Sequence, residues 1–283
     1  MQRRAGDMLQ WLQSLLFGLI CGFTEFLPVS SLPHEILLSR LFGISDFGGM
    51  LTVAVHIGAL LTLFLQYRPQ LSRIDRERKI AAEAPRRRKR QPDTATLLDL
   101  KLLRIAAIPM LLGYAAYPWV GDQGQRLWIL GLGLIVNGIF LYLPQFMVRS
   151  NKTARHLTGV DSLFIGLFGA LAVIPGISRT GILHSAAAMR GVDRQYGLQT
   201  ALMLCIPALL IQLVFDFAAV FISATGITFF TVICSVTALA ASFLSSYFSI
   251  IFIRFLSVNA DFGGFAYYSW GAALLAFILY LAI

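Results

Sequence analysis

The sequence predicts an all-α integral membrane protein with six transmembrane helices plus two re-entrant helical hairpins in an inverted repeat. Three observations lead there. The first is composition: of 283 residues, 57% are hydrophobic and only 13% charged, against roughly 25% charged in an ordinary soluble domain. The second is the recurrence of apolar runs long enough to cross about 30 Å of hydrocarbon. The third is a pair of apolar stretches interrupted near their middles by proline, glycine and serine. A basic balance of 23 Lys and Arg against 14 Asp and Glu often points to nucleic acid, but that reading needs a soluble basic face. Nucleic-acid binding is therefore excluded.

The first interrupted stretch covers about 8–42 and is broken by Pro28, Ser30, Ser31 and Pro33. Arg3 and Arg4 ahead of it resemble a signal-peptide n-region, but Glu25 and the lack of a small-residue cleavage site predict retention. Spans follow at 50–67, 98–118 and 127–147, completing a first repeat over about 8–147. The second interrupted stretch, 161–190, is broken by Pro175, Gly176, Ser178 and Gly181. Spans at 196–222, 226–256 and 264–283 complete a second repeat over about 161–283, and the chain reads as one membrane domain, 1–283. Backbone groups freed by such breaks must be buried in protein or line a watery cavity, which predicts re-entrant hairpins; a kinked spanning helix is the alternative. An offset of 147 residues superposes Pro28 on Pro175, Ser31 on Ser178 and Thr52 on Gln199, as an internal duplication requires.

Loop charge sets the predicted orientation. Residues 68–93 carry ten Lys and Arg and four acids, including Arg86-Arg87-Arg88-Lys89-Arg90, so 68–97 reads as a basic, mobile cytoplasmic loop attracted to anionic headgroups. Counting spans from it places the 119–126 connection outside, 148–160 with Arg149, Lys152 and Arg155 inside, 223–225 outside and Arg254 inside. The two hairpins then open to opposite sides. Cys21, Cys205 and Cys234 lie in apolar segments without metal-ligand spacing and read as packing residues.

Charged groups at membrane depth are costly and usually face a cavity or partner. Glu25, Ser30, Ser31, His34, Glu35, Ser178, Arg179 and Thr180 cluster at the two breaks. Arginine can hold phosphoryl oxygens bidentately, a carboxylate can hold a divalent cation and histidine can move a proton; the set suits a phosphate-bearing substrate. Broken helices add N-termini that attract anions, and Gly176 and Gly181 allow close approach to Arg179. His56 and His184 are balanced between core and function. Asp216 and Arg254 read as structural or interfacial charges.

The segment Glu25-Phe26-Leu27-Pro28-Val29-Ser30-Ser31 with His34, followed by Pro175-Gly176-Ile177-Ser178-Arg179-Thr180-Gly181, resembles the BacA/UppP family of undecaprenyl-diphosphatases over nearly the whole chain. The resemblance implies a bacterial plasma-membrane enzyme that removes the terminal phosphate of undecaprenyl diphosphate, recycling the lipid carrier for cell-wall synthesis, with bacitracin resistance as a family trait and a homodimer as one possible assembly. It implies catalytic roles for Glu25, Ser31, His34, Ser178 and Arg179. It also implies substrate contacts from Ser30, Gly176, Arg179 and Thr180, and a Mg²⁺ or Ca²⁺ held by Glu25. The sequence departs from the pattern at Cys21, Thr52 and Gln199, where the family carries acids (or, at Cys21, glutamine), at Leu183, where it carries threonine, and at Leu32-Pro33 between the serine and histidine. A non-hydrolytic carrier moving a polyprenyl phosphate through the same cavity is the second reading.

Overall fold

The computed structural model describes residues 2–83, 90–120, 126–147, 151–223, 227–259 and 262–282, without the side chains of 2–5, 41 and 259. Among the described residues the chain is all-helical with no strand: α1 (Gln2–Thr24), α2 (Leu32–Phe42), α3 (Met50–Ala82), α4 (Thr94–Tyr114), a single turn α5 (Tyr117–Val120), α6 (Leu127–Tyr142), α7 (Gly159–Ala170), α8 (Arg179–Met189), α9 (Arg194–Ile222), α10 (Phe229–Asn259) and α11 (Gly264–Ala282). Among the described residues five helical segments are long and apolar enough to cross a membrane: α3, α6 with the turn after it, α9, α10 and α11. Large apolar side chains cover their outer faces; Phe221, Phe229 and Leu281 are each at least 80% exposed. Exposed apolar surface on that scale is what a lipid-embedded bundle presents.

The predicted span at 98–118 has the length but not the apolarity. α4 starts at Thr94, capped by the Asp93 side chain on Ala95 N–H, and carries Asp99, Lys101 and Arg104. Asp99 is used internally, accepting from the Tyr196 hydroxyl at 2.7 Å.

The expected loop over 68–97 is the clearest correction, because α3 continues unbroken through Ala82. Its 33 residues measure about 50 Å at 1.5 Å per residue, so the segment after Arg68 runs beyond the apolar part as a charged helix. The physical reason is local: Asp75 pairs with Arg78 at 3.2 Å and Lys79 at 2.6 Å, one turn on. Buried Glu77 accepts from Asp93 N–H at 2.9 Å and from Arg90, which ties the extension to the start of α4. Arg86 to Lys89, Arg149, and residues 121–125 and 224–226 of the predicted connections lie outside the described residues.

Both predicted breaks are real interruptions. α1 stops at Thr24, Ser30 takes a left-handed backbone (φ 61°) and α2 starts at Leu32. α7 passes into a short 3₁₀ turn ending at Val173, Gly176 turns at φ 93°, and α8 begins at Arg179 behind the Ser178 cap. α2 and α8 have 11 residues each, about 16 Å, half of what a span needs. The second break packs directly on α6: a Cβ on Gly176 would sit 2.6 Å from Leu130 O, and one on Gly133 would run into Pro175 O. Glycine at both positions is what lets the backbones meet.

α1 lies along α10, α7 along α4, α3 along α10, α9 along α4, and α6 along α11, with α3 against α9 at the centre.

Candidate active site

Asn137, a lone amide on the apolar helix α6, joins the two breaks. Its Nδ2 donates to Pro28 O at 3.0 Å and its Oδ1 accepts from Ser178 N–H at 2.8 Å. A second tie runs from the Ser178 hydroxyl, which donates to Leu27 O at 2.9 Å while accepting from Gly181 N–H at 3.2 Å. The polar turns are thus stitched to each other rather than left to solvent, as buried backbone groups require.

Beside this seam lies a cavity of about 640 Å³ whose walls include Glu25, Ser31, Glu35, His56, Arg179 and Asp216. Its walls also include Thr52 near the start of α3, Pro118 after α4 and Ser223 at the end of α9. These residues place it toward the end of α3 opposite its basic extension.

Arg179 is the hub. Its Nη1 meets Glu25 Oε1 at 3.2 Å, with side-chain exposures of 11% and 2%. Its Nε donates to the Tyr114 hydroxyl at 2.8 Å and its Nη2 to Gln212 Oε1 at 2.5 Å. One charge from each break therefore meets at the wall of one cavity. The other Glu25 oxygen, Oε2, is buried without a hydrogen-bond partner. Leaving a carboxylate oxygen so is costly, and it gives the cavity an unsatisfied acceptor.

Glu25, Ser30, Ser31, Gly176, Ser178 and Arg179 all line the cavity; His34 and Thr180 do not. His34 donates from Nδ1 to Ser30 O at 2.9 Å and accepts at Nε2 from the Tyr268 hydroxyl at 2.6 Å. Both ring nitrogens are occupied, and the ring holds Ser30 in its left-handed conformation, which costs a non-glycine residue about 1–2 kcal/mol. Glu35, one position on, lines the cavity instead, because adjacent helical residues point about 100° apart. Thr180 is fully buried with its hydroxyl 3.7 Å from Cys205 Sγ.

At the departures from the family pattern, Cys21 and Leu183 are fully buried among apolar neighbours. The Thr52 hydroxyl donates to Asp46 at 3.1 Å, and Gln199 lines a small pocket at the opposite end of the bundle. Among the described residues no three His, Cys, Asp or Glu converge as a ready-made metal cage. A Mg²⁺-type ion needs only one or two carboxylates when substrate phosphates and water complete its shell. The unpartnered Glu25 Oε2, with Glu35 on the same cavity, fits that limited demand.

A second polar chain leads away from Arg179. Arginine only donates, so the Gln212 amide turns its oxygen to Arg179 and its nitrogen inward. That nitrogen lies 3.3 Å from His56 Nε2 and donates to the Tyr117 hydroxyl at 3.2 Å. Tyr117 donates to Asp216 Oδ1 at 3.0 Å, and His56 Nδ1 meets Asp216 Oδ2 at 2.8 Å. The sequence did carry a signal for this chain: Gln212 and Asp216 are four residues apart, one polar stripe on the otherwise apolar stretch of α9 after Thr200.

The fold and the site define a membrane-type helical protein with a polar cavity lined by two broken helical segments. The chain belongs to the family described as bacitracin resistance protein BacA, whose model matches residues 14–275. It is 33% identical over 213 residues to an undecaprenyl-diphosphatase of a Nocardioides species, covering 74% of this chain and 75% of that protein. It is 28% identical over 275 residues to the undecaprenyl-diphosphatase of Carboxydothermus hydrogenoformans, covering 95% and 97%. A Bacillus cereus protein named undecaprenyl-diphosphatase 3 is 28% identical over 278 residues.

Proposed function

We propose that this protein is an undecaprenyl-diphosphate phosphatase of the bacterial plasma membrane, releasing the terminal phosphate so that the lipid carrier can be used again. Family membership and the names of its relatives support the activity. The observation that carries it to particular residues is the Arg179–Glu25 pair at the cavity wall where the two breaks meet. A diphosphate entering the cavity exchanges its oxygens for the Gln212 and Glu25 contacts of Arg179. The guanidinium then neutralises charge developing on the phosphoryl group. Ser31 and Ser30 face the same space and contact the substrate, whereas Ser178 holds the seam between the breaks. Glu25, with Glu35, would hold a divalent cation, which supplies further neutralisation of the diphosphate. The polyprenyl chain remains among the lipids.

We read α4 as the sixth span and each broken segment as a re-entrant hairpin, the two repeats being inverted. The 11-residue arms α2 and α8 support this. So does the packing, since exchanging the repeats turns the α1–α10 pair into α7–α4 and the α3–α10 pair into α9–α4. With the basic end of α3 cytoplasmic, the cavity opens outward, where diphosphate is left after polymer transfer.

The test is phosphate release from undecaprenyl diphosphate by the purified protein and by Arg179→Lys, with and without Mg²⁺ or Ca²⁺. Lysine keeps the charge but not the bidentate fork, and release is expected to fall at least tenfold. Equal release from the two proteins, or none from the wild type, overturns the proposal.

A further inference from the structure

We propose that His56 transfers the proton in this cavity and that Asp216 positions it. The inference rests on the diphosphatase reading and adds a group that the two break motifs do not contain. His56 comes from α3 and Asp216 from α9, 160 positions apart.

The hydrogen-bond chain fixes the tautomer. Arg179 holds the Gln212 oxygen, so an N–H of the amide points at His56 Nε2. That nitrogen must be the acceptor, and the imidazole proton is on Nδ1, donated to Asp216. A carboxylate behind Nδ1–H and a lone pair on Nε2 is the arrangement of a histidine base in hydrolytic sites generally. Asp216 is itself held by Tyr117 on its other oxygen, so the imidazole is braced from behind. The contact on Nε2 is the longest in the chain, 3.3 Å, against 2.5 to 3.2 Å for the others. It is also the one that loosens when a diphosphate draws Arg179 away from Gln212. A histidine serving only the core has no need of a face on the cavity that Arg179 also lines; His56, Gln212 and Asp216 all line it. His34, whose nitrogens are both committed to Ser30 and Tyr268, leaves this work to His56.

In the step itself, a water oxygen bonds to the terminal phosphorus as the bridging P–O bond breaks. The bonding pair leaves with the polyprenyl monophosphate, Nε2 takes one proton from the attacking water, and inorganic phosphate departs. The proton then passes from the imidazole to solvent through the cavity. No other reactant is needed.

Charged and titratable groups facing His56 are Asp216, Tyr117, Glu25, Glu35, Asp46 and Arg179, so a pH profile must be assigned by substitution. The experiment measures kcat and KM for phosphate release from undecaprenyl diphosphate as a function of pH, using the full-length protein in micelles. Variants are His56→Gln, His56→Ala, Asp216→Asn and Tyr117→Phe. General base catalysis predicts that His56→Gln lowers kcat about 10²-fold or more with KM nearly unchanged, and that the acid limb of the profile disappears. The limb persists in Tyr117→Phe. Asp216→Asn lowers kcat without abolishing it, and added imidazole restores turnover to His56→Ala, which keeps the test alive should one variant fold poorly. A His56→Gln protein with kcat within threefold of wild type, or with its acid limb intact, overturns the assignment. So does a His56→Ala protein that imidazole leaves unchanged. Wild type that releases no phosphate overturns the diphosphatase reading itself, a result distinct from these.

Discussion

The two ends of this molecule use the same ion-pair chemistry to opposite effect. At the basic end Arg73 meets Asp93 at 3.1 Å with both side chains about half exposed, 52% and 41%. At the cavity end Arg179 meets Glu25 at nearly the same distance, 3.2 Å, with 11% and 2% exposed. Water and salt screen the first pair, so it contributes little to stability. The second sits where desolvation is costly and where one carboxylate oxygen is left without a partner. The charge excess of the sequence gathers at the end where charge matters least to chemistry. Burial rather than abundance marks the candidate functional cation.

Substitutions at the two ends sharpen or break that contrast. The largest effect is expected from Arg179→Ala. It leaves Glu25 as an uncompensated buried charge, costing about 3–5 kcal/mol of stability, and should cut phosphate release by about 10²-fold or more. Thermal unfolding alongside the activity assay checks both. A variant with wild-type turnover would dissolve the distinction between the ends.

Next comes the seam. Asn137→Leu removes the shared partner of Pro28 O and Ser178 N–H, at about 1–3 kcal/mol for each group left unpaired, and should lower turnover because the breaks are no longer held together. Ser178→Ala loses an N-cap, about 1 kcal/mol. Both are read from unfolding midpoints in the same detergent. If Ser178→Ala abolished turnover while leaving the midpoint unchanged, its hydroxyl would be a reacting group rather than a tie.

The smallest effects belong to the basic end. Arg73→Ala is expected to leave release and unfolding midpoint at wild-type values. Asp93 there is held below the usual carboxylate range, first by the Thr96 hydroxyl, then by Ala95 N–H and Arg73. A depressed pKa in the folded protein means its contribution is present above the unfolded value, about 3.9, and is lost only as pH falls through the lower folded value. The stability gap between wild type and Asp93→Asn should therefore stay constant from pH 7 down to pH 5 and close only below about pH 4.

Much of the site was legible because proline, glycine and serine are conspicuous inside apolar stretches. The breaks, Glu25, Arg179 and Ser31 could be read directly, and these residues do share a wall. The remainder depends on direction and distance. His34 and Glu35 look equally eligible in sequence, yet one helical step turns one to Tyr268 and the other into the cavity. Gln212, Asp216 and His56 sit in spanning helices whose apolar character hides them, and their meaning appears only when α3 and α9 pack together. The helical continuation of α3 was hidden by its charge: a basic run reads as a loop until the Asp75 pairs and the Glu77 anchor are seen.

The most direct test of the central claim is the affinity of a short-chain polyprenyl diphosphate for three proteins in one buffer: wild type, Arg179→Lys and Arg73→Lys. The account predicts a Kd raised at least tenfold, about 1.4 kcal/mol, by the change at 179 and no change from the one at 73. Equal affinity for the first two, or a loss confined to the third, would contradict it.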